Sequence, residues 1–505
     1  MKERRGPFGG PRRQRVFEAA ELGHEISKAD YAKQVPVLRA GLLQAQGDLA
    51  AARVPLILIV SGADGGGKSE TVNRLHEWFD PRGLETNVFG PLSDEERDRP
   101  AYWRFWLSLP PRGRVGMFFG SWYTDPIIRR TYRKCSGAEF DRSLSRIEFF
   151  EQQLAQDGAL IVKLWLHLSR KAQKKRLSKL EKDPKTRWRV SPLDWKHFKL
   201  YDRFVKYSEQ ALQRTDTGFA PWTVIEATDD RYREITVGRT VLEAIQKRLA
   251  TKKDAVAPPR MVVPSGDVVS VLDRVDVKKS ISPKEYDYKL ARLQGRLNRL
   301  SRAAWEKKVS SVLVFEGWDA AGKGGTVRRL TSAMDARLYR VVPIAAPTDE
   351  ERAHQYLWRF WRHIPRAGRV TIFDRSWYGR VLVERVEGFA REDEWKRAFL
   401  EINEFEDQLV EHGTAVTKFW VHISKDEQLR RCKERQKTEF KQYKITDEDW
   451  RNRKQWEAYE AAINEMVVRT STRRAPWVIV AGNDKRFARI QVLEAVCRRL
   501  EKALG

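Results

Sequence analysis

The sequence predicts two tandem α/β domains, each a three-layer α/β/α arrangement around a mainly parallel sheet. Three observations carry that expectation. Apolar runs of strand length alternate with longer charged segments of helical period, which is the pattern of a parallel sheet covered by helices on both faces. Two of those runs, Leu56–Val60 and Val312–Phe315, lead into Gly-rich turns that end in lysine. The chain also repeats itself: Lys68 and Lys323 lie 323 − 68 = 255 positions apart, as do Ser121 and Ser376.

The turns are Gly62-Ala63-Asp64-Gly65-Gly66-Gly67-Lys68-Ser69 and Gly317-Trp318-Asp319-Ala320-Ala321-Gly322-Lys323. A buried strand, a Gly-rich turn, a lysine and then a helix is the context that gives this spacing meaning. Backbone N–H groups of such a P-loop, with the helix N-terminus behind them, form a cage for phosphate oxygens. Phosphoryl chemistry is therefore expected. The same offset pairs Trp103-Arg104-Phe105-Trp106 with Trp358-Arg359-Phe360-Trp361, Glu151 with Glu406, Trp195 with Trp450, and Ala220-Pro221-Trp222 with Ala475-Pro476-Trp477. Roughly 60 identities over about 220 ungapped positions mean a duplicated domain of ordinary size, not a solenoid of short repeats.

The elements follow in chain order. Residues 1–15, rich in Gly, Pro and Arg, read as a flexible basic tail. The first repeat fills about 16–250, and 251–267, with Pro258, Pro259, Pro264 and Gly266, reads as a linker. The second repeat fills 268–505 and opens with a helix whose apolar stripe is Tyr286, Leu290, Leu293, Leu297 and Leu300. Strand-like runs follow at Val341–Ile344, Val370–Phe373, Val416–Val421 and Trp477–Val480. Ligands of such a sheet belong at the carboxyl ends of its strands.

Composition bounds the partners. A chain of 505 residues with 41% hydrophobic content can bury two full cores. No apolar run approaches the roughly 18 residues of a membrane span, and the first thirty residues carry no apolar stretch of a secretory signal. Cys135, Cys432 and Cys497 are scattered without disulfide or metal spacing, which points to a reducing cytoplasm. The net charge of +27 suits nucleic acid, an acidic membrane surface or a polyanionic substrate; a merely solubilising surface fits it as well.

In the second repeat the strand Val370–Phe373 ends in Asp374, followed by Arg375-Ser376-Trp377-Tyr378. A P-loop enzyme needs an acidic strand end to hold Mg²⁺ beside the phosphates, although a strand-terminal Asp also serves as a helix cap. Gly324 stands where Ser or Thr ordinarily offers Mg²⁺ a hydroxyl. With Asp319 inside the loop, that suggests a metal held by Asp319 and Asp374, the alternative for Asp319 being a turn-stabilising role. Between Ser424 and Tyr443 lie Arg430, Arg431, Lys433, Arg435, Lys437 and Lys441. Arg431 and Arg435, spaced i,i+4, share one helix face and suit a helical lid that closes on the phosphoryl group; the outer lysines read as a solvated face. The aromatic cluster 358–361 reads mostly as core, the alternative being base stacking.

These blocks, Glu316 through Gly325, Asp374 through Tyr378, and Thr470-Ser471-Thr472 through Ala475-Pro476-Trp477, resemble the signature segments of the second polyphosphate kinase family. The tandem arrangement resembles its fused two-domain branch, the polyphosphate:AMP phosphotransferases. The resemblance implies a three-layer P-loop fold with a helical lid, inorganic polyphosphate bound in a basic channel, and Mg²⁺ bridging donor and acceptor phosphates. It makes polyphosphate, with AMP/ADP, the anionic partner, in place of nucleic acid or a membrane; a homo-oligomer is compatible with it.

On this reading Gly317, Ala320, Ala321, Gly322, Lys323, Gly324 and Arg431 bind phosphate, Asp319 and Asp374 hold the metal, and Asp319, Lys323, Asp374, Arg375 and Arg435 carry catalysis. The rivals are a polyphosphate-dependent nucleoside diphosphate kinase, an ATP-dependent small-molecule kinase and, furthest from these residues, a nucleic-acid-binding protein. The first repeat keeps Asp64 and Lys68, but Phe119 and Gly120 stand opposite Asp374 and Arg375, and Leu180 opposite Arg435. It is expected to be catalytically silent or very weak, serving as a structural partner or an extra polyphosphate-docking surface.

Overall fold

The computed structural model describes residues 16–251, 270–437, 439 and 447–505. The expected tail, all but Thr251 of the expected linker, and Lys441 lie outside the described residues. The described residues fall into two compact units, one within 16–91, 108–251 and 353–355, the other within 92–107, 270–352 and 356–505. The packing boundary thus departs from the repeat boundary at 92–107. Those residues belong to the second unit, where Trp106 stacks on Trp361 with ring centroids 5.8 Å apart.

The first unit contains β1 (Leu56–Gly62), β2 (Leu84–Val88), β3 (Val115–Phe119), β4 (Leu160–His167) and β5 (Trp222–Glu226). They form a five-stranded parallel sheet in the order β2-β3-β1-β4-β5. The second contains β6 (Ser311–Gly317), β7 (Tyr339–Pro343), β8 (Val370–Asp374), β9 (Ala415–His422) and β10 (Trp477–Ala481), in the equivalent order β10-β9-β6-β8-β7. Every expected strand is present.

Central strands of such a sheet are buried on both faces, which is why they read as unbroken apolar runs instead of alternating ones. In the first unit Leu56, Leu58 and Val60 of β1 join Leu42 and Leu49 of the helix Lys28–Ala51 and Val241 and Ile245 of the helix Asp230–Ala250 in one cluster. In the second, the helix Pro283–Glu306 buries Tyr286, Leu293 and Leu297 from its expected stripe. Ser282 caps it, accepting from the Glu285 N–H, with Pro283 at the first helical position. Trp358, Phe360 and Trp361 are buried, so the aromatic cluster is core.

Each unit also buries a lysine–glutamate pair between its sheet and a covering helix. Lys418 of β9 donates to Glu406 (2.7 Å), to the Tyr378 hydroxyl (2.9 Å) and to the Thr470 carbonyl (2.6 Å). Tyr378 and Trp377 in turn donate to Glu406 at 2.7 and 3.1 Å. Lys163, Glu151 and Tyr123 repeat the arrangement in the first unit. In both, the network ties down the segment that leaves the third strand.

Candidate functional site

In the second unit β6 and β8 run side by side with Phe315 opposite Asp374. Parallel register therefore brings the Gly-rich turn after β6 next to the carboxylate that ends β8. Gly317 has φ +146°, and a Cβ there would meet the Val421 carbonyl at 2.6 Å; only glycine lets the turn pass this close to β9. Gly322 is the left-handed N-cap of the helix Lys323–Thr331, whose first N–H groups have no partner within the helix and are available to an anion. Lys323 Nζ donates to the carbonyls of Gly317 (2.7 Å) and Trp318 (3.3 Å). Gly324 has nothing within 4 Å of where a side chain would begin.

Asp319 is 15% exposed and accepts from Arg375 at 3.2 Å. Its other oxygen accepts from Asn452 Nδ2 at 2.9 Å, and Asn452 is itself held by the Tyr459 hydroxyl at 3.1 Å. Arg375 sits at φ +64° and Ala320 at +62°, conformations that cost a residue with a Cβ about 1–2 kcal/mol. The first repeat places glycines, Gly120 and Gly65, at those positions. Strain retained where glycine is the easy solution marks residues held for what their side chains do; this applies with most force to Arg375. Anchoring of Trp377 and Tyr378 on Glu406 keeps the Asp374-Arg375 turn in place.

Four features of the site escape sequence reasoning. Glu316 is buried beneath the turn, accepts from the Ser376 hydroxyl at 2.7 Å, and is pushed above the usual carboxylate range by desolvation. Trp318 stacks on Trp456 at 3.6 Å, its indole N–H donating to His422. Burial lowers His422 to about 4, so the ring is neutral and can accept. Asn452, on the helix Asp447–Lys454, orients Asp319. Finally Lys485 and Arg489, one turn apart on the last helix, line a cavity of about 420 Å³ together with Arg435, Lys437 and the backbone of Ala320–Gly322, Glu434 being the acid among them. The i,i+4 spacing behind Asp484 was the only signal for that pair.

Arg431 differs from the other cations of the site in how it is held. It is 2% exposed, and its guanidinium donates to the carbonyls of Ala320 (3.2 Å), Ala321 (2.8 Å), Gly482 (2.7 Å) and Asn483 (2.8 Å), with Glu427 at 2.5 Å. Every donor is spent on the scaffold. Its hydrogen bonds are those of a clamp on the phosphate turn, although Arg431 lines the same cavity as Arg435 one turn later.

The donor set decides which metal fits. Among the described residues no three His, Cys, Asp or Glu side chains gather, so a protein cage of the zinc type is not built here. Two carboxylates beside a phosphate cage are hard oxygen donors of the kind a divalent cation takes, with phosphate oxygens and water to complete its shell.

In the first unit the turn is intact, with Lys68 donating to Gly62 (2.9 Å) and Ala63 (3.0 Å) as Lys323 does to its counterparts. Asp64 is engaged differently, by His197 at 2.8 Å and Lys68 at 3.6 Å. That hydrogen bond raises His197, while Asp64, opposed by burial, is brought down by His197 and Lys68. Phe119 ends β3 opposite Val60, and Leu180 lies on the helix Arg170–Lys182. Opposite Lys485 and Arg489 stand Asp230 and Glu234, a reversal of charge.

Comparisons with known proteins point to one family. The family model for polyphosphate kinase 2 matches residues 25–253 and 280–504. A polyphosphate:AMP phosphotransferase of Pseudomonas aeruginosa is 52% identical over 97% of this chain and 99% of its own. One from Acinetobacter johnsonii is 36% identical over 88% and 91%. A crystal structure of a polyphosphate kinase 2 candidate from Pseudomonas aeruginosa superposes with a TM-score of 0.88 at 50% identity, covering 97% of this chain and 99% of that one. No helix among the described residues is long and apolar enough to cross a membrane.

Proposed function

The chain belongs to the polyphosphate kinase 2 family, and on that premise we propose that it moves the terminal phosphoryl group of inorganic polyphosphate to AMP, giving ADP and a polymer one unit shorter. Catalysis is assigned to the second repeat, 268–505, and a non-catalytic role to the first, 16–250. The observation that carries this assignment is the adjacency, in the second unit, of an intact phosphate turn to Asp374 and a strained Arg375.

Backbone amides of 317–324 and Lys323 hold the donor's terminal phosphates. Arg435, Lys485 and Arg489 supply the positive wall along which the rest of the polymer lies. Arg375 offsets charge on the group in transfer, and Arg431 keeps the turn in shape from behind. Asp319 and Asp374 are the residues that would hold Mg²⁺, which when bound neutralises phosphate charge. The nucleophile is a phosphate oxygen of AMP, already ionised at neutral pH, so no strong general base is required and positioning with electrostatics does most of the work. One phosphoanhydride replaces another, which makes the reaction near-balanced and reversible. Three scattered free thiols fit a reducing compartment.

The test is to mix the full chain with long-chain polyphosphate, Mg²⁺ and each nucleoside mono- and diphosphate in turn, and to identify the product. ADP from AMP is expected. Phosphorylation of nucleosides or small metabolites from ATP, with polyphosphate inert, overturns the reading.

Two further results are expected of the same assay. The KM for polyphosphate rises steeply with ionic strength while that for AMP changes little, because many screened contacts hold the polymer. Replacing Lys485 or Arg489 by Ala raises the polyphosphate KM by about tenfold, the effect of losing one hydrogen bond to a charged group. A flat salt response, or equal effects on both substrates, counts against the basic wall.

A further inference from the structure

The first repeat has not simply lost a site; it has gained a cavity. At the position of Trp318, whose indole fills the second unit's site by stacking on Trp456, stands Ala63, and at the position of Arg375 stands Gly120. Gly120, though not Ala63, lines a cavity of about 530 Å³ at the carboxyl ends of β1 and β3, within the range of small-molecule sites. Its character has changed with its size. Phe119, Tyr132, Trp165 and Phe204 furnish aromatic walls, and Lys68 with the Gly62 turn forms one end.

The walls also hold unmet polar groups. Gln173 and Trp165 are only 4% and 3% exposed, yet among the described residues Gln173 Oε1, Trp165 Nε1 and the Tyr132 hydroxyl have no hydrogen-bond partner. Gln173 is fixed by its other atom, Nε2 donating to the Asp64 carbonyl at 2.9 Å. Buried polar atoms left unpaired cost stability unless something else satisfies them. A ligand for this cavity must therefore be flat, carry hydrogen-bonding edges, and end in an anion for Lys68 and the turn. The Asp64 charge does not oppose that anion, since His197 and Lys68 offset it. Polyphosphate does not fit: it has no apolar body for the rings, and Lys68 is the one lysine or arginine among the lining residues.

We propose that the first repeat binds a purine nucleoside monophosphate without reacting it, the phosphate in the turn 62–68 and the base against Phe119 and the stacked Trp165–Phe204 pair. The site is a nucleotide-binding site of the first repeat's own, separate from the acceptor position of the second repeat. With Phe119 in place of Asp374 and Gly120 in place of Arg375, the bound nucleotide meets neither the acid nor the cation of the second unit's turn. The earlier expectation that this repeat docks polyphosphate gives way to this reading.

The experiment is equilibrium dialysis of the full chain against AMP, without polyphosphate. Ile128, on the wall helix Thr124–Thr131, is replaced by Trp to fill the cavity, and separately Lys68 by Ala to remove the anion's partner. The native chain is expected to bind one more equivalent of AMP than Ile128→Trp. Lys68→Ala weakens that equivalent by about tenfold or more, and Lys323→Ala leaves it unchanged. Tripolyphosphate does not displace it. If both first-repeat variants bind AMP as the native chain does, or if the extra equivalent disappears with Lys323→Ala or tripolyphosphate, the proposal is overturned. Binding of 1-naphthyl phosphate but not AMP at this site overturns the nucleotide assignment. ADP formation, measured on the same samples, reports on the second repeat independently.

Discussion

Lys323→Ala and Asp374→Ala each reduce ADP formation from polyphosphate and AMP by about 10³-fold or more, whereas Lys68→Ala leaves most of it. The magnitude is that of removing a preorganised charge from a phosphoryl-transfer site, where electrostatic stabilisation supplies most of the rate. The asymmetry comes from the structure. Both lysines make the same contacts with their own turns, so lysine geometry does not separate the repeats. What separates them is the neighbour across the sheet, Asp374 beside β6 but Phe119 beside β1. A phenyl ring cannot ligate a cation, and with Gly120 for Arg375 and Leu180 for Arg435 two positive charges are gone as well. Initial rates at saturating polyphosphate, followed by chromatographic separation of AMP and ADP, decide the matter. Equal losses from Lys68→Ala and Lys323→Ala would show that the first repeat shares in catalysis.

The largest effect on stability is expected from Lys418→Ala. Its ammonium is fully buried, against a Glu406 that is 1% exposed, and truncation strands that carboxylate with only Tyr378 and Trp377 as donors. Leaving one member of a buried ion pair alone costs about 3–5 kcal/mol, enough to lower the melting temperature of a unit this size by roughly 10 °C. Scanning calorimetry measures it. The double replacement Lys418→Met with Glu406→Leu recovers part of the loss, since an apolar pair carries no desolvation penalty. Because the same network anchors the Asp374-Arg375 turn, Lys418→Ala also lowers activity at temperatures where the unit is still folded. An unchanged melting temperature would mean that water reaches Glu406.

The legible part of this protein was local. A Gly-rich turn behind an apolar run, an acid at the end of another, and a period of 323 − 68 = 255 are properties of short segments, and every strand expected from them is in the sheets. Arg431 and Arg435 looked alike because i,i+4 spacing tells which face two residues share but not what that face meets. Both line the cavity, but one spends its guanidinium on four backbone carbonyls. Lys485 and Arg489 went unnoticed because they lie far along the chain from the turn, on a helix whose placement follows from sheet order. Residues 92–107 carry first-repeat sequence, yet they pack with the second unit.

By itself, then, the sequence determined the duplication, the parallel α/β fold, the phosphate turns, and the loss of acid and cation from the first repeat, because each is written in contiguous residues whose chemistry is intrinsic. Tertiary structure alone decided which cations are consumed in holding the turn, and it left a cavity with unpaired polar walls in the first repeat. The reason is physical: a side chain's type limits the bonds it can make, but only packing determines which partners are within 3 Å of it and which spaces are left unfilled.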